Sequence, residues 1–319
     1  MDIIDLHNFK IKESSGSPSC AIHFPPENGL TIALGSFDGV HLGHAALINR
    51  AVRNAHENHR ASAVWTFSDD PSVIPGKRGM KAITTLEEKL GLIASLGVDF
   101  AILARFSDVH GLSPEEFAKM LISDCAARAV VCGFNYSFGK NGAGKPETLK
   151  KIMGDNCFIV DPVCVDGEIV SSSAIRALLE AGDTEGAARL LGHDFFIDFP
   201  VVHGKELGRT IGLPTINQNF PDGMLIPGEG IYAGRVIIAG KEYVGVSNVG
   251  TRPTVDNSGR VNCETHIIGF DGWLYGERVR VGLSKRLRGE IKFPDVESLR
   301  AQIERDAKAA EEYFQDKIR

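Results

Sequence analysis

The chain has 319 residues, 43% hydrophobic and 24% charged, with a net charge of −6. That length exceeds one ordinary core and suggests two domains, and an acidic balance with a pI near 5.9 argues against the basic face that nucleic-acid binding requires. Six cysteines occur without a CxxC pair, a spacing that does not suggest a zinc or disulfide framework and fits a reducing compartment. The opening Met-Asp-Ile-Ile-Asp-Leu lacks a basic segment followed by an apolar one, and no apolar run approaches a membrane span. The expectation is a cytoplasmic protein with no membrane or nucleic-acid partner, a monomer or transient homo-oligomer.

Leu30 to Leu34 read as a buried strand, and Leu47, Ile48, Ala51, Val52 and Ala55 recur at helical spacing. Between them runs Gly35-Ser-Phe-Asp-Gly-Val-His-Leu-Gly-His44. Gly35, Gly39 and Gly43 let the backbone turn sharply and come close to a bulky group. A strand, a glycine turn and a helix start together form a place for phosphate, because free N–H groups and the positive end of the helix dipole converge there. His41 and His44 sit at that mouth and can stabilise charge at a phosphorus under attack. A purely structural strand-to-helix turn is the alternative.

Further along, Ala61 to Phe67 reads as a strand, and Thr85-Leu-Glu-Glu88 is a capping box for a helix ending before Gly97. Asp99 to Leu103 is the next strand. Ser113-Pro-Glu-Glu116 repeats the helix-start signal with proline at the first helical position. Ala129 to Cys132 and Cys157 to Val163 read as further strands. Alternating strand and helix predicts a mostly parallel sheet covered on both faces, with ligands beyond the carboxyl ends of the strands.

Two more stretches fall at such ends. Gly133-Phe-Asn-Tyr-Ser-Phe-Gly-Lys-Asn-Gly-Ala-Gly-Lys145 is a polar, glycine-rich loop in which Asn135 could read a base or ribose and Lys140 or Lys145 could meet phosphate. A bare surface loop is the other reading. Ser171-Ser-Ser-Ala-Ile-Arg176 opens a helix, and Ser172, Ser173 and Arg176 suit departing phosphates as well as they suit an ordinary cap.

Asp183 to Leu191 reads as a short capped helix stopped by Gly192. The texture then changes to short β-rich runs: Phe196 to Val202, Gly230 to Ile238, Glu242 to Val249, Asn262 to Phe270 and Arg278 to Leu283. They predict a small antiparallel barrel, closed by an amphipathic helix from Val296 to Phe314. The domain boundary is expected at 187/188. Within the barrel, Val202-His-Gly-Lys-Glu-Leu-Gly-Arg-Thr-Ile-Gly-Leu-Pro-Thr-Ile-Asn217 carries Gly204, Gly208 and Gly212 in a pliable loop that could cover a nucleotide. Thr215 and Asn217 are spaced two apart, so on an extended segment their oxygens point the same way and suit Mg²⁺. In Val261-Asn-Cys-Glu-Thr-His-Ile-Ile-Gly-Phe270, alternation puts Asn262, Glu264 and His266 on one face. A polar β-turn and a solvent-facing glutamate are the bland alternatives.

These motifs resemble the bacterial bifunctional riboflavin kinase/FMN adenylyltransferases. Gly35 to His44 is similar to that family's HxGH signature, the loop after Gly133 to its GxNFxFG segment, and Ser171 to Arg176 to its SSTxIR segment. In the second half, Gly208 to Asn217 resembles GRxxGxPTAN, and Cys263 to Ile267 resembles the segment bearing the kinase's catalytic glutamate. Asn248 to Pro253, Leu274 to Gly276 and Leu287 to Phe293 extend the likeness over nearly the whole chain. It implies an α/β fold: a Rossmann-like HxGH nucleotidyltransferase domain (1–187) and a barrel kinase domain with a terminal helix (188–319).

It also implies ATP as co-substrate, riboflavin, FMN and FAD as substrates and products, and Mg²⁺. Glu264, His41 and His44 become catalytic candidates. Nucleotide would meet Gly35, Phe37, Asp38, Gly43, Asn135, Ser172, Ser173, Arg176, Gly204, Gly208, Gly212, Thr215 and Asn217, the last two also holding the metal. Two positions depart from the pattern: Thr66-Phe-Ser-Asp-Asp-Pro71 stands where Thr-Phe-x-Pro-His-Pro is usual, and Ile216 replaces an alanine. A single-activity enzyme, a non-catalytic flavin sensor, or a nucleotidyltransferase for another substrate are the competing readings.

Overall fold

The computed structural model describes residues 1–6, 26–69, 71–73, 79–204, 212–251 and 261–316. The chain divides into two compact units, Met1–Ser171 and Ser172–Arg319.

In the first unit, β1 (Asp2–Asp5), β2 (Leu30–Leu34), β3 (Ala61–Phe67), β4 (Phe100–Ala104), β5 (Ala127–Gly133) and β6 (Cys157–Val160) form one sheet. Its spatial order is β1-β4-β3-β2-β5-β6, and every pairing is parallel. Helices α1 (Leu42–Glu57), α2 (Leu86–Ser95), α3 (Pro114–Ser123) and α4 (Pro146–Met153) connect the strands.

Alternation along each strand divides the core in two. Ile32, Leu34, Trp65 and Cys132 pack with Phe117, Leu121 and Leu149 of α3 and α4. Ala33, Val64 and Val131 pack with Leu47, Ile48, Ala51 and Ile93 of α1 and α2. The chain therefore runs outward from β2 through β3 to β4 under one face, then returns to place β5 on the other side of β2. Strand order reverses between β2 and β5, which puts a ligand crevice beyond the carboxyl ends of those two strands.

Local chemistry sets the helix limits. Thr85 and Ser113 each accept a hydrogen bond from the third helical N–H while Glu88 and Glu116 reach back, so both capping boxes form as the sequence indicates. Strand β1 was not anticipated. It is a four-residue edge strand, too short to show a period. A two-residue hairpin, β7 (Cys164–Val165) and β8 (Glu168–Ile169), was also unexpected.

The second unit opens with α5 (Ser172–Ala181) and α6 (Thr184–Leu191). The Gly228 N–H donates to Leu179 O (2.9 Å), and Arg286 donates to Ala181 O (3.5 Å), so α5 is held to strand-bearing segments of this unit. The compact units divide at Ser171.

A seven-stranded antiparallel sheet follows: β9 (Phe196–Pro200), β10 (Thr215–Asn219), β11 (Gly230–Ile238), β12 (Lys241–Thr251), β13 (Val261–Ile267), β14 (Arg278–Gly282) and β15 (Lys285–Arg288). Its path runs β10-β13-β12-β11-β14-β9, with β15 also on β11. A bridge between Val202 and Asn217 brings the ends of that path together. The buried Gln218 amide of β10 donates to Phe199 O and Val279 O, both at 2.7 Å, and nearly closes the barrel. Helix α7 (Val296–Asp316) covers one face, burying Ala310 and Phe314 against Ile231, Ala233 and Val246.

Helix α7 is latched to β15 by an ion pair. Arg288 grips the buried Asp306 carboxylate through Nε (3.1 Å) and Nη2 (2.7 Å), and Gln302 donates to the same carboxylate at 2.8 Å. Removing one partner of such a pair strands a buried charge. Arg288→Met is expected to cost the second unit about 3 kcal/mol, read as a lower urea midpoint, and Arg288→Met with Asp306→Leu is expected to recover most of that loss.

Candidate functional sites

The turn between β2 and α1 lies at the strand-order reversal. His41 is the N-cap of α1, and its Nδ1 accepts the His44 N–H at 3.2 Å. An accepting Nδ1 places the proton of the neutral ring on Nε2. The two imidazoles stack at 3.6 Å between centroids with planes 16° apart, and Phe37 meets His44 edge-on at 5.3 Å. Gly43 permits the stack: a Cβ there would lie 3.1 Å from His41 Cε1. The first turn of α1 holds no acidic residue, whereas those of α2 and α3 each hold two glutamates. The positive end of the α1 dipole is thus left for an anion.

The backbone of this turn is strained. Gly39 sits at φ 78°, but Phe37 and the β-branched Val40 also adopt positive φ, 51° and 40°. Such conformations persist only where the surroundings over-determine them. Phe37 is fully buried beneath Gly35. Asp38, buried too, accepts from the N–H groups of Ile83 (2.9 Å) and Thr84 (3.2 Å), and Thr84 Oγ1 in turn accepts from the Gly39 N–H (3.1 Å). Its carboxylate therefore ties the turn to the approach of α2.

Lys89, which sequence reasoning passed over, completes the support. It is buried on α2, and its ammonium donates to Phe67 O (2.8 Å), Ser36 O (3.3 Å) and Thr66 Oγ1 (3.4 Å). Burial pulls its pKa down to about 8, with the Asp38 and Asp69 carboxylates opposing. Charging it at neutral pH costs on the order of 3 kcal/mol relative to the unfolded chain. The available signal was its spacing: Lys89 shares a helical face with the buried Ile93.

Across the same sheet end, Asn135 follows β5 and is exposed, with its Oδ1 3.4 Å from where a Gly133 Cβ would stand. Tyr136 is half-buried, and desolvation of its hydroxyl pushes its phenol upward, while Lys140 and Lys145 are exposed. At the altered Ser-Asp-Asp segment, Asp69 accepts from the Phe106 N–H at the start of the short helix Phe106–Val109, while Asp70 lies outside the described residues.

In the second unit, Ser172, Ser173 and Arg176 stand in the first turn and a half of α5, Ser172 and Arg176 half-buried and Ser173 exposed. The barrel assembles another site by register. Antiparallel pairing sets Thr215 opposite His266 and Asn217 opposite Glu264, and β12 sets Asn248 opposite Glu264. Directly paired residues share a face, so Asn217, Glu264 and Asn248 form a row across three strands.

Thr215 Oγ1 donates to Glu264 Oε1 at 2.6 Å, and Asn217 Oδ1 accepts from Asn262 Nδ2 at 3.1 Å. Asn248 Oδ1 is buried without a hydrogen-bond partner among the described residues. Gly204 lies close beside them, and a Cβ there would displace the Asn217 amide. Gly212 adopts φ 75° ahead of β10, and Gly208 lies outside the described residues. Adjoining Thr215 is an open cleft of about 280 Å³ walled by Ile216, Phe270, Trp273 and Tyr275, with His203 stacked on Tyr275 at 4.0 Å. Sequence reasoning did not single out these aromatics.

For a hard cation, Thr215 and Asn217 supply two neutral oxygens. Among the described residues no cluster of three or more His, Cys, Asp or Glu could hold a metal. The donor set therefore fits an ion that takes most of its ligands from phosphate and water, as Mg²⁺ does.

Comparison with known proteins agrees with both halves. Residues 24–174 match the family described as FAD synthetase, and residues 191–314 match that described as riboflavin kinase. The bifunctional riboflavin kinase/FMN adenylyltransferase of Bacillus subtilis is 36% identical over 290 residues, 89% of this chain and 92% of that one. Its Escherichia coli counterpart is 34% identical over 296 residues, 91% and 94% of the two chains. A Streptococcus pneumoniae crystal structure described as a macrolide-efflux protein is 29% identical with a TM-score of 0.83, covering 98% of this chain and 99% of its own. No helix among the described residues is long and apolar enough to cross a membrane. With two family matches in the expected order and relatives alike over nine-tenths of its length, this chain belongs to the bifunctional riboflavin kinase/FMN adenylyltransferase family.

Proposed function

We propose that the barrel phosphorylates riboflavin with ATP to give FMN and ADP, and that the β2–α1 turn serves transfer of AMP from ATP to FMN, giving FAD and pyrophosphate. The observation that carries this division is the contrast between the two carboxylates. Glu264 is half-buried beside Thr215 on a polar barrel face, whereas Asp38 is buried and accepts from the Ile83 and Thr84 amides.

The two nucleophiles differ in the same way. A ribityl hydroxyl is scarcely ionised at neutral pH, so Glu264 accepts its proton as it attacks the γ-phosphorus. The Thr215 hydroxyl, donating to Oε1, orients that carboxylate. Thr215 and Asn217 are the residues that would hold Mg²⁺, which supplies charge neutralisation at the phosphates. In the second step the nucleophile is a phosphate monoester, largely dianionic at pH 7 because its second pKa is about 6. It needs no base. It needs relief from repulsion between two anions, and His41, His44 and the acid-free α1 N-terminus provide donors and positive potential for that. Ser172, Ser173 and Arg176 are assigned to phosphate binding on the same grounds.

Incubation with riboflavin and ATP, followed by chromatographic separation of FMN and FAD, tests the division. His44→Ala is expected to lower FAD formation by about 10²-fold or more while leaving FMN formation intact. Glu264→Ala is expected to lower FMN formation by about 10²- to 10⁴-fold while FAD formation from added FMN persists. Equal loss of both reactions in either folded variant would sink the assignment of separate sites, and flavin binding without ATP turnover in the wild-type protein would favour a sensor.

Asn217→Ala gives an independent check on the metal. The Mg²⁺ concentration for half-maximal FMN formation is expected to rise about tenfold, with no change in that for FAD formation. An unaltered Mg²⁺ requirement in the barrel reaction would remove Asn217 from the ligand set.

A further inference from the structure

Lys89 is a cation where the fold alone asks for an apolar side chain. It occupies the sheet-facing side of α2, one turn before the buried Ile93. Each of its three N–H donors has an acceptor within reach: Phe67 O at 2.8 Å, Ser36 O at 3.3 Å and Thr66 Oγ1 at 3.4 Å. Thr66 Oγ1 donates onward to Ser36 O at 3.0 Å. The ammonium thus joins the carboxyl end of β3 to Ser36, the residue that opens the turn carrying His41 and His44. The groups facing it are Asp38 from that turn and Asp69 from the segment after β3. On its own helix the neighbouring Glu88 is bound to Thr85 in the capping box.

We propose that Lys89 is a positioning residue for adenylyl transfer: its ammonium clamps Ser36 to the end of β3, holds the strained turn that presents the two histidines, and lends buried positive charge to the side of the site where phosphates gather. This rests on the reading that the β2–α1 turn receives the phosphates. The clamp explains how Phe37 and Val40 stay at positive φ, since the turn is pinned from Ser36 by Lys89 and from Asp38 by the α2 approach.

Stability and activity should respond to pH in opposite directions. The folded-state pKa is lowered, from 10.5 to about 8. Between those values the unfolded chain binds a proton that the folded chain lacks, so this residue's contribution to stability rises with pH across that window. A residue that served packing alone would therefore leave the protein sturdier and no less active as pH climbs. A positioning ammonium loses its third donor and its charge through the same window, and adenylyl transfer declines. The FMN phosphate adds no step there, being already dianionic above about pH 7.

The test follows both half-reactions of the full-length protein from about pH 6.5 to 9.5. In the wild type, kcat for FAD formation from FMN is expected to fall at least about tenfold through a midpoint near pH 8, while kcat for FMN formation shows no break there. Lys89→Met is expected to lower kcat for FAD formation about tenfold or more at pH 7 and to abolish the break, with riboflavin phosphorylation within about twofold of wild type. Lys89→Arg, which stays charged throughout, is expected to retain activity and also to lose the break.

A flat wild-type profile overturns the proposal whether or not any variant folds. So does a Lys89→Met enzyme that keeps both the wild-type rate and the break. The underlying site assignment is tested separately by His44→Ala: if that variant forms FAD normally, the site reading fails; if it does not and the Lys89 results are negative, only the role of Lys89 fails.

Discussion

A helix N-terminus capped by histidine, with no acid in its first turn, at the point where strand order reverses is the constraint on which the first unit depends. Helices usually satisfy their first N–H groups with Ser, Thr, Asp or Asn and add acidic side chains to the first turn, as α2 and α3 do here. Helix α1 is capped instead by a neutral imidazole and carries no acid in its first turn. That choice keeps the dipole uncompensated and lays His41 against His44 at 3.6 Å. The rest of the turn answers to it: Gly43 gives the ring room, and Asp38 and Lys89 hold backbone that Phe37 and Val40 would not adopt unaided.

In the barrel the equivalent constraint is register. Glu264 lies opposite Asn217 on one side and Asn248 on the other, and a slip of one residue in β13 would bring Cys263 or Thr265 to the polar face and bury the glutamate. The closure made by the Gln218 amide, reaching β9 and β14 from β10, resists that slip. The β10–β13 register carries Thr215 to within 2.6 Å of Glu264. Ile216, the departure from the family pattern, pairs with the buried Thr265 and so shares its face of the strand, opposite Thr215 and Asn217.

What could be read in the sequence was whatever is fixed by neighbours a few residues away. The capping boxes at Thr85 and Ser113, the glycine stop after Leu191 and the strand from Ala61 to Phe67 all emerge from local spacing. Strands β1, β7, β8 and β15 are too short to show a period and exist because partners pair with them. The role of Asp38 was equally illegible. Its hydrogen-bond partners Ile83 and Thr84 lie 45 and 46 residues away, beyond any local spacing. Lys89 was the one legible signal left unused, a charge on an apolar helical stripe.

Those long-range ties bear directly on the chemistry. Adenylyl transfer brings a dianionic monoester up to a polyphosphate, and an exposed carboxylate in the same crevice would add a third anion to a step limited by repulsion. Asp38 accepts from two backbone amides and so helps hold the turn, while Lys89 adds a positive charge to the same neighbourhood. The barrel faces the opposite requirement, since a neutral hydroxyl gains from an ionised neighbour, and there the carboxylate faces Thr215 rather than the backbone. The two carboxylates are oriented by neighbours within their own compact units: Asp38 accepts from Ile83 and Thr84, and Glu264 accepts from Thr215.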